Sequence, residues 1–197
     1  MLGFDDVESE KGSSLLEPGI VGVKLDAVSL TDDGDLDITF VGTDEGNTGS
    51  FKPRFWVNNQ DPNDERYNET KAKRFKAHLK HILEGFLTVE EISAIKAETT
   101  PQLFQACAAA LTAAIGKTGT MKVVYKWGSD SLCVVPFYGP FLSTDLKKRT
   151  LSIGTKKGND GLPFDRVLPA AEYGVVATGE APSQFNSPDD VNLPFGG

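Results

Sequence analysis

The sequence predicts a mainly β, α+β chain, built as a five-stranded antiparallel barrel with helices between its third and fourth strands. Three observations support this fold class. Apolar and polar residues alternate in three short segments before residue 58, apolar residues then recur at helical spacing for some sixty residues, and alternation returns in a hairpin. At 197 residues, the chain is long enough to bury a core without disulfides.

The first three strands are predicted from their two-residue periodicity. They cover residues 21–27, 36–40 and 51–57, where apolar side chains fall on one face and polar ones on the other. The turn-forming segments 32–35 and 45–49 separate them. Three strands joined by tight turns form an antiparallel meander.

The helices are predicted from apolar spacing and from residues that start a helix. Residues 68–86 carry apolar side chains at helical spacing. Thr88 and Glu91 match a capping box, which opens a short second helix. Thr100 and Pro101 begin a third, amphipathic helix, since proline is favoured in the first turn.

A hairpin follows the helices. Residues 121–127 and 132–137 alternate on either side of a turn at 128–131, and residues 151–153 are a candidate for one more short strand. The meander and the hairpin together supply the five strands of an OB-type barrel. Other small α+β folds share this order of elements.

Composition divides the chain into three parts. Residues 1–18 are predicted to be a flexible acidic segment. Residues 19–173 form the OB-fold domain, with the helical insertion at about 66–117. Residues 174–197 are rich in Gly, Pro, Ser and Asn and offer little apolar surface, so we predict a disordered acidic tail.

The net charge of −8 is unevenly distributed. Residues 1–50 carry −10, residues 51–157 carry +7 and residues 158–197 carry −5. A basic middle between acidic ends is typical of a body that binds a polyanion. A lysine-rich helix surface would give the same distribution.

Several function classes find no support. Cys107 and Cys133 lie far apart without a CxxC partner, which indicates neither a disulfide framework nor a zinc site and fits a reducing cytoplasm. His78 and His81 share a helix face but lack a complete metal-ligand set. No apolar run approaches the roughly 20 residues that span a membrane, and the acidic N-terminal residues do not resemble a signal peptide. Because phosphate-binding loops and catalytic constellations are also missing, we expect no cofactor and no enzymatic activity.

The third predicted strand carries the strongest candidate site. Alternation places Lys52, Arg54 and Trp56 on one face. Phe51 and Phe55 lie on the other, apolar face. Cations bind phosphates and flat aromatic rings stack on unpaired bases, so this face is predicted to bind single-stranded nucleic acid. The alternative is that Trp56 is a core residue beneath the insertion.

Further candidates lie in the hairpin and after it. Tyr125 and Trp127 are second choices for base stacking, because alternation does not decide which face of their strand is core. Basic residues in and after the hairpin are candidates for phosphate contacts: Lys126, Lys147, Lys148, Arg149 and Lys156. Short lysine runs are also common on ordinary solvated surfaces.

The C-terminal segment is a candidate docking motif. Its acidic and apolar residues follow a linker-like stretch: Asp189, Asp190, Leu193, Pro194 and Phe195. The carboxylates suit the basic rim of a pocket, and Phe195 suits an apolar pocket. The alternative is that this end folds back on the body.

These residues resemble a known group. The C-terminal segment is similar to the acidic tip of bacterial single-stranded-DNA-binding proteins, which finish in Asp-Asp-Asp-Ile-Pro-Phe, but here Gly196 and Gly197 follow the phenylalanine. The strand 52–57 and the hairpin 125–137 resemble bacteriophage single-stranded-DNA-binding proteins with an OB fold and a helical insertion. The resemblance implies coating of single-stranded DNA during phage replication or recombination, in the cytoplasm of a bacterial host. It also implies recruitment of replication or recombination proteins through the tail, with self-association on the DNA as a further option.

Two other function classes stay open. One is a phage structural or assembly protein that uses the barrel as a protein-interaction module. The other is an adaptor that binds a replication enzyme without touching DNA. Stable assembly in the absence of DNA would indicate the structural protein.

Overall fold

The structure is a computed structural model that describes residues 15–60, 62–65, 67–136 and 138–173. The predicted acidic segment up to residue 14 lies outside the described residues. So does the predicted tail, with its docking residues Asp189, Asp190, Leu193, Pro194 and Phe195.

The strands form one antiparallel sheet that curves into a nearly closed barrel. Their order is β3-β2-β1-β5-β6, with β4 also paired to β2 and β7 also paired to β5. Their bounds are β1 Gly19–Leu30, β2 Leu36–Gly42, β3 Ser50–Phe51, β4 Arg54–Phe55, β5 Thr118–Tyr125, β6 Cys133–Val134 and β7 Leu142–Ser143.

The segments β3 and β4 are one barrel strand interrupted at Pro53. Proline lacks an N–H for the ladder, yet its carbonyl still accepts a hydrogen bond from the Ile38 N–H at 3.2 Å. The register also continues unchanged across the break, from Phe40 opposite Phe51 to Asp37 opposite Arg54. The barrel therefore has five strands, and the predicted OB-like α+β fold is confirmed.

The long strand β1 joins the two sides of the barrel. Its first half pairs with β5, from Gly19 opposite Val123 to Lys24 opposite Thr118. Its second half pairs with β2 and ends with Leu30 opposite Leu36. The register shifts between Leu25 and Ala27, where a bulge bends the strand from one side to the other.

Residues 15–18 bridge the gap between β3 and β6. The Leu16 N–H donates to the Ser50 carbonyl at 3.0 Å, and the Cys133 thiol donates to the Leu16 carbonyl at 3.6 Å. Leu16 itself is only 1% exposed. Residues 15–18, which the sequence analysis assigned to the acidic segment, are therefore bonded to both neighbouring strands, with Leu16 buried in the core.

Three α-helices follow β4 and precede β5, namely α1 Glu69–Phe86, α2 Val89–Ala94 and α3 Thr100–Thr112. The predicted capping box of Thr88 and Glu91 is confirmed. A second capping box joins Thr99 to Gln102 at the start of α3. Short 3-10 turns cover Asn58–Gln60 and Ala170–Tyr173. No described helix has the length and apolar character needed to cross a membrane.

The core lies between the inner faces of the strands and the helices α1 and α3. The rings of Phe40 and Phe86 stack with their centroids 6.2 Å apart, which joins β2 to α1. Cys107 of α3 is fully buried in the same cluster. Each large apolar side chain buried in this way contributes roughly 1.5–3 kcal/mol to folding.

The predicted strand at 151–153 does not form. The Ser152 carbonyl accepts a hydrogen bond from the Lys122 side chain at 3.0 Å rather than from a neighbouring strand. Ile153 is exposed, so its alternation with Leu151 does not mark a core face. The extra strand is instead β7, which pairs with the first half of β5.

Candidate nucleic-acid interface

In the strand that carries Lys52, Arg54 and Trp56, the inner and outer side chains are those that alternation predicted. Phe51 and Phe55 are buried in the core, whereas Trp56 is 44% exposed. Because the register continues across the break at Pro53, Lys52 and Arg54 lie on the same outer face. The face assignment is confirmed, and the alternative that Trp56 is a core residue is wrong.

Both cations on this face bind one buried carboxylate, that of Asp37 on β2. Arg54 donates from Nε to Oδ1 at 2.6 Å and from Nη2 to Oδ2 at 2.8 Å. Lys52 Nζ lies 2.8 Å from the same Oδ2. The Asp37 side chain is 3% exposed, so the pair of cations rests on a fixed and largely solvent-excluded anion.

The Asp37 carboxylate reduces the positive charge that Lys52 and Arg54 offer to an anionic ligand. Burial by itself raises the pKa of Asp37, but hydrogen bonds and attraction from Arg54 and Lys52 outweigh burial and hold the pKa below its ordinary value. The carboxylate is therefore ionised at neutral pH. Lys52, Arg54 and Asp37 together carry a net charge of +1, and the nearby carboxylate of Asp35, which also acts on Arg54, offsets it.

Trp56 is an aromatic platform with one side occupied. The guanidinium carbon of Arg54 lies 5.1 Å from the centroid of the indole ring, a cation–π arrangement. Arg54 thus contacts both Asp37 and Trp56. An exposed ring backed by a guanidinium is an arrangement on which an unpaired base can stack.

The aromatic residues of the hairpin are packed against the C-terminal part of the domain. The guanidinium of Arg166 lies 5.5 Å from the ring centroid of Tyr125. Trp127 packs on Phe164 at a centroid distance of 5.9 Å, and a Cβ added at Gly158 would come within 2.6 Å of the indole. Tyr125 and Trp127 are half-buried, so they offer less free ring surface than Trp56.

The remaining basic candidates differ in their surroundings. Arg149 is mostly buried, binds Glu84 of α1 and donates to the Leu142 carbonyl at 3.2 Å, which indicates a structural role. Lys156 lies 4.7 Å from the ring centroid of Tyr138. The exposed candidates are Lys126, Lys147, Lys148 and Lys156.

Lys148 lines an open groove beside β5 and β7. Hydroxyl-bearing residues form most of its walls: Thr43, Thr118, Thr120, Ser143 and Thr144. Gly119, Asp145 and Arg149 also line it. Hydroxyl groups and lysine can both bind phosphate oxygens, although Asp145 opposes an anion.

The predicted residues come from three parts of the barrel. Arg54 lies opposite Asp37, which lies opposite Ser29 near the end of β1. Tyr125 lies beyond Val123, which is opposite Gly19 at the start of β1. The closure of the barrel joins these two parts on its other side, because Leu16 bonds both to Ser50 of β3 and to Cys133, which lies opposite Tyr125. Lys147 and Lys148 form the third group, beside β7.

Sequence analysis missed the buried charged residues that hold these groups in place. Arg166 donates to the Lys126 carbonyl at 3.2 Å and pairs with Asp130 at 2.8 Å, which fixes the hairpin turn. Lys122 and Asp165 form a buried pair at 2.6 Å. Nothing in the sequence distinguishes these residues from exposed charges, because their partners are distant along the chain.

The rings of the two histidines both pack against Phe141. The ring of His81 stacks on it at 4.4 Å and the ring of His78 meets it edge-on at 5.4 Å. Burial lowers the pKa of His78 to about 4 and also lowers that of His81. Within the described ranges, no three or more His, Cys, Asp and Glu residues are grouped so as to hold a metal ion.

Fold and surface together define the class of this protein: an OB-like α+β barrel with an exposed aromatic and basic group on the outer face of its second and third strands. Comparisons with protein families, with curated proteins and with solved structures give no match to the chain. Its function is therefore inferred from its own residues and geometry.

Proposed function

We propose that this protein binds single-stranded DNA without strong sequence preference, as a stoichiometric binder rather than an enzyme, during phage DNA replication or recombination. The observation that carries the proposal is the exposed indole of Trp56, backed by Arg54 and beside Lys52. These residues occupy the outer face of barrel strands 2 and 3, the face on which OB-type barrels bind oligonucleotides.

The chemistry of this face suits an unpaired strand. Stacking of a base on Trp56 contributes roughly 1–3 kcal/mol and tolerates any sequence, because every base has a π face. Lys52 and Arg54 supply charge for the backbone, so binding weakens as salt rises. In a duplex the bases are already stacked on one another, and Trp56 would have no free face to meet.

The partner proteins belong to the same proposal. The segment with Asp189, Asp190, Leu193, Pro194 and Phe195 resembles the acidic tip through which bacterial single-stranded-DNA-binding proteins recruit other proteins. We propose the same role here, toward replication or recombination proteins in the cytoplasm of a bacterial host. Gly196 and Gly197 follow Phe195, so the partner pocket has to accept the phenylalanine without a terminal carboxylate.

The test is a titration of the full chain with oligo-dT, followed by tryptophan fluorescence at several salt concentrations. We expect quenching that weakens steeply with salt and that is largely lost in Trp56→Ala. Trp127→Phe is the matched control, because the Trp127 ring packs on Phe164 and its loss should leave most of the quenching intact. Absence of quenching together with absence of a gel shift at low salt would reject the proposal.

A further inference from the structure

We infer that Asp37 is a positioning residue, which holds Lys52 and Arg54 as a fork for one phosphate next to the Trp56 base platform. This inference rests on the proposed function. It assigns to the outer face a subsite for a single nucleotide, with its phosphate on the fork and its base on the indole.

The fork follows from the acceptor that both cations share, the Oδ2 atom of Asp37. Lys52 Nζ and Arg54 Nη2 each lie 2.8 Å from Asp37 Oδ2. The two nitrogens are therefore at most twice 2.8 Å, or 5.6 Å, apart. Two cationic nitrogens at that spacing can bind different oxygens of the same phosphate, with hydrogen bonds of about 2.8 Å each.

Asp37 does not use up the donors of its partners. A guanidinium has five N–H donors, of which the two bonds to Asp37 engage only Nε and one Nη2 hydrogen. An ammonium has three donors, and Lys52 directs one of them to Asp37. The side chains of Lys52 and Arg54 are 49% and 37% exposed, so a ligand can reach them from solvent.

Arg54 also links the phosphate fork to the base platform. Its Nε and Nη2 bind Asp37, and its Cζ lies 5.1 Å from the Trp56 centroid. The same guanidinium thus covers part of the indole, and Trp56 still remains 44% exposed to a base. Because a single side chain contacts both parts, the phosphate and the base that they bind belong to the same or an adjacent nucleotide.

The direction in which DNA affinity changes when the Asp37 charge is removed separates a positioning role from a purely electrostatic one. Asp37 is an anion, so electrostatics alone predicts that its removal strengthens DNA binding. Positioning predicts the opposite, because without a common anchor both long side chains must be ordered when DNA binds. Asp37→Asn keeps the shape of the side chain and removes its charge.

Asp35 provides a charge-matched control. It is buried and its charge acts on Arg54, but its side chain accepts a hydrogen bond from the Val57 N–H at 2.8 Å. Arg54 has a raised pKa mainly because of its hydrogen bond to Asp37, and the charge of Asp35 adds a smaller contribution. Asp35→Asn therefore removes a nearby negative charge without removing the anchor of the fork.

The experiment measures oligo-dT affinity of the full chain by fluorescence anisotropy over a range of salt. For Asp37→Asn we expect binding about tenfold weaker, equivalent to about 1.4 kcal/mol, with an unchanged salt slope because both cations remain. For Asp35→Asn we expect affinity equal to or above the wild-type value. Equal or tighter binding by Asp37→Asn would overturn the inference, whereas failure of the wild type to bind would reject the proposed function instead.

A second variant covers the case in which Asp37→Asn does not fold, as judged by its thermal melt. Arg54→Lys keeps the charge at an exposed position but cannot form the two parallel bonds to Asp37. We expect severalfold weaker binding with the wild-type salt slope. Wild-type affinity in Arg54→Lys would overturn the inference in the same way.

Discussion

The buried pair of Lys122 and Asp165 gives the sharpest prediction about stability. Both side chains are 4% exposed, and their charged atoms lie 2.6 Å apart. Lys122 also donates to the Tyr138 and Ser152 carbonyls, so a single ammonium holds two loop segments and Asp165 against β5. Asp165 Oδ2 receives a further hydrogen bond from the Gly154 N–H at 2.7 Å.

Lys122→Met should destabilise the protein by about 3–5 kcal/mol, because it leaves the carboxylate of Asp165 buried without its counter-charge. Asp165 already has one buried oxygen, Oδ1, that lacks a hydrogen-bond partner among the described residues, so few groups are in place to compensate. A domain of this kind has a total stability of roughly 5–15 kcal/mol, and the loss is a large part of it.

Urea unfolding followed by circular dichroism measures the effect. With a slope of about 2 kcal/mol per molar urea, the midpoint should fall by about 2 M. The double variant Lys122→Met/Asp165→Asn should recover a substantial part of the loss, because it also removes the unpaired charge. A loss below about 1 kcal/mol in the single variant would refute the reasoning, since it would mean that water or another group replaces the lysine.

Three further predictions concern pH, the groove and the tail. His78 has a pKa of about 4 in the folded protein and about 6.5 when unfolded, so the unfolded state binds the proton more readily and stability falls as pH drops from 6.5 toward 4. Urea unfolding at pH 7 and 4.5 should show a loss of about 2 kcal/mol that His78→Gln reduces; equal losses in both proteins would contradict this. Lys148→Ala should weaken oligo-dT binding and reduce the salt slope by about 1, whereas the exposed helix variant Lys71→Ala should change neither; identical slopes would exclude the groove from the interface. Deletion of residues 180–197 should tighten oligo-dT binding at low salt if the acidic tail competes for the basic face, and unchanged affinity would argue against competition.

The local structure of this fold could be predicted from the sequence. Two-residue alternation identified β1, β2 and the strand with Trp56, since their inner and outer faces face different environments. Capping residues such as Thr88 marked helix starts, because those bonds form within one turn. The exposure of Trp56 followed from the same alternation, which made this part of the candidate site predictable.

Contacts between residues that are distant along the chain could not be predicted from the sequence. Leu16 follows Leu15 in a short apolar pair without periodicity, and its burial depends on a gap between strands that the closed barrel creates. The packing of Trp127 depends on Phe164 and Gly158, which return to it from later in the chain. Asp37 lies on a strand whose partner was expected, but a one-residue shift in register would have removed it from Lys52 and Arg54.

The divided pairing of β1 has a consequence for how the chain folds as it is synthesised. Its second half can pair with β2 as soon as the first turn is made, whereas its first half waits for β5, which follows all three helices. Until then the apolar face of Val21 and Val23 lacks that neighbouring strand. Such distant pairing slows folding and favours association between incomplete chains, so we expect the yield of folded protein to fall more steeply with expression temperature than its final stability would indicate.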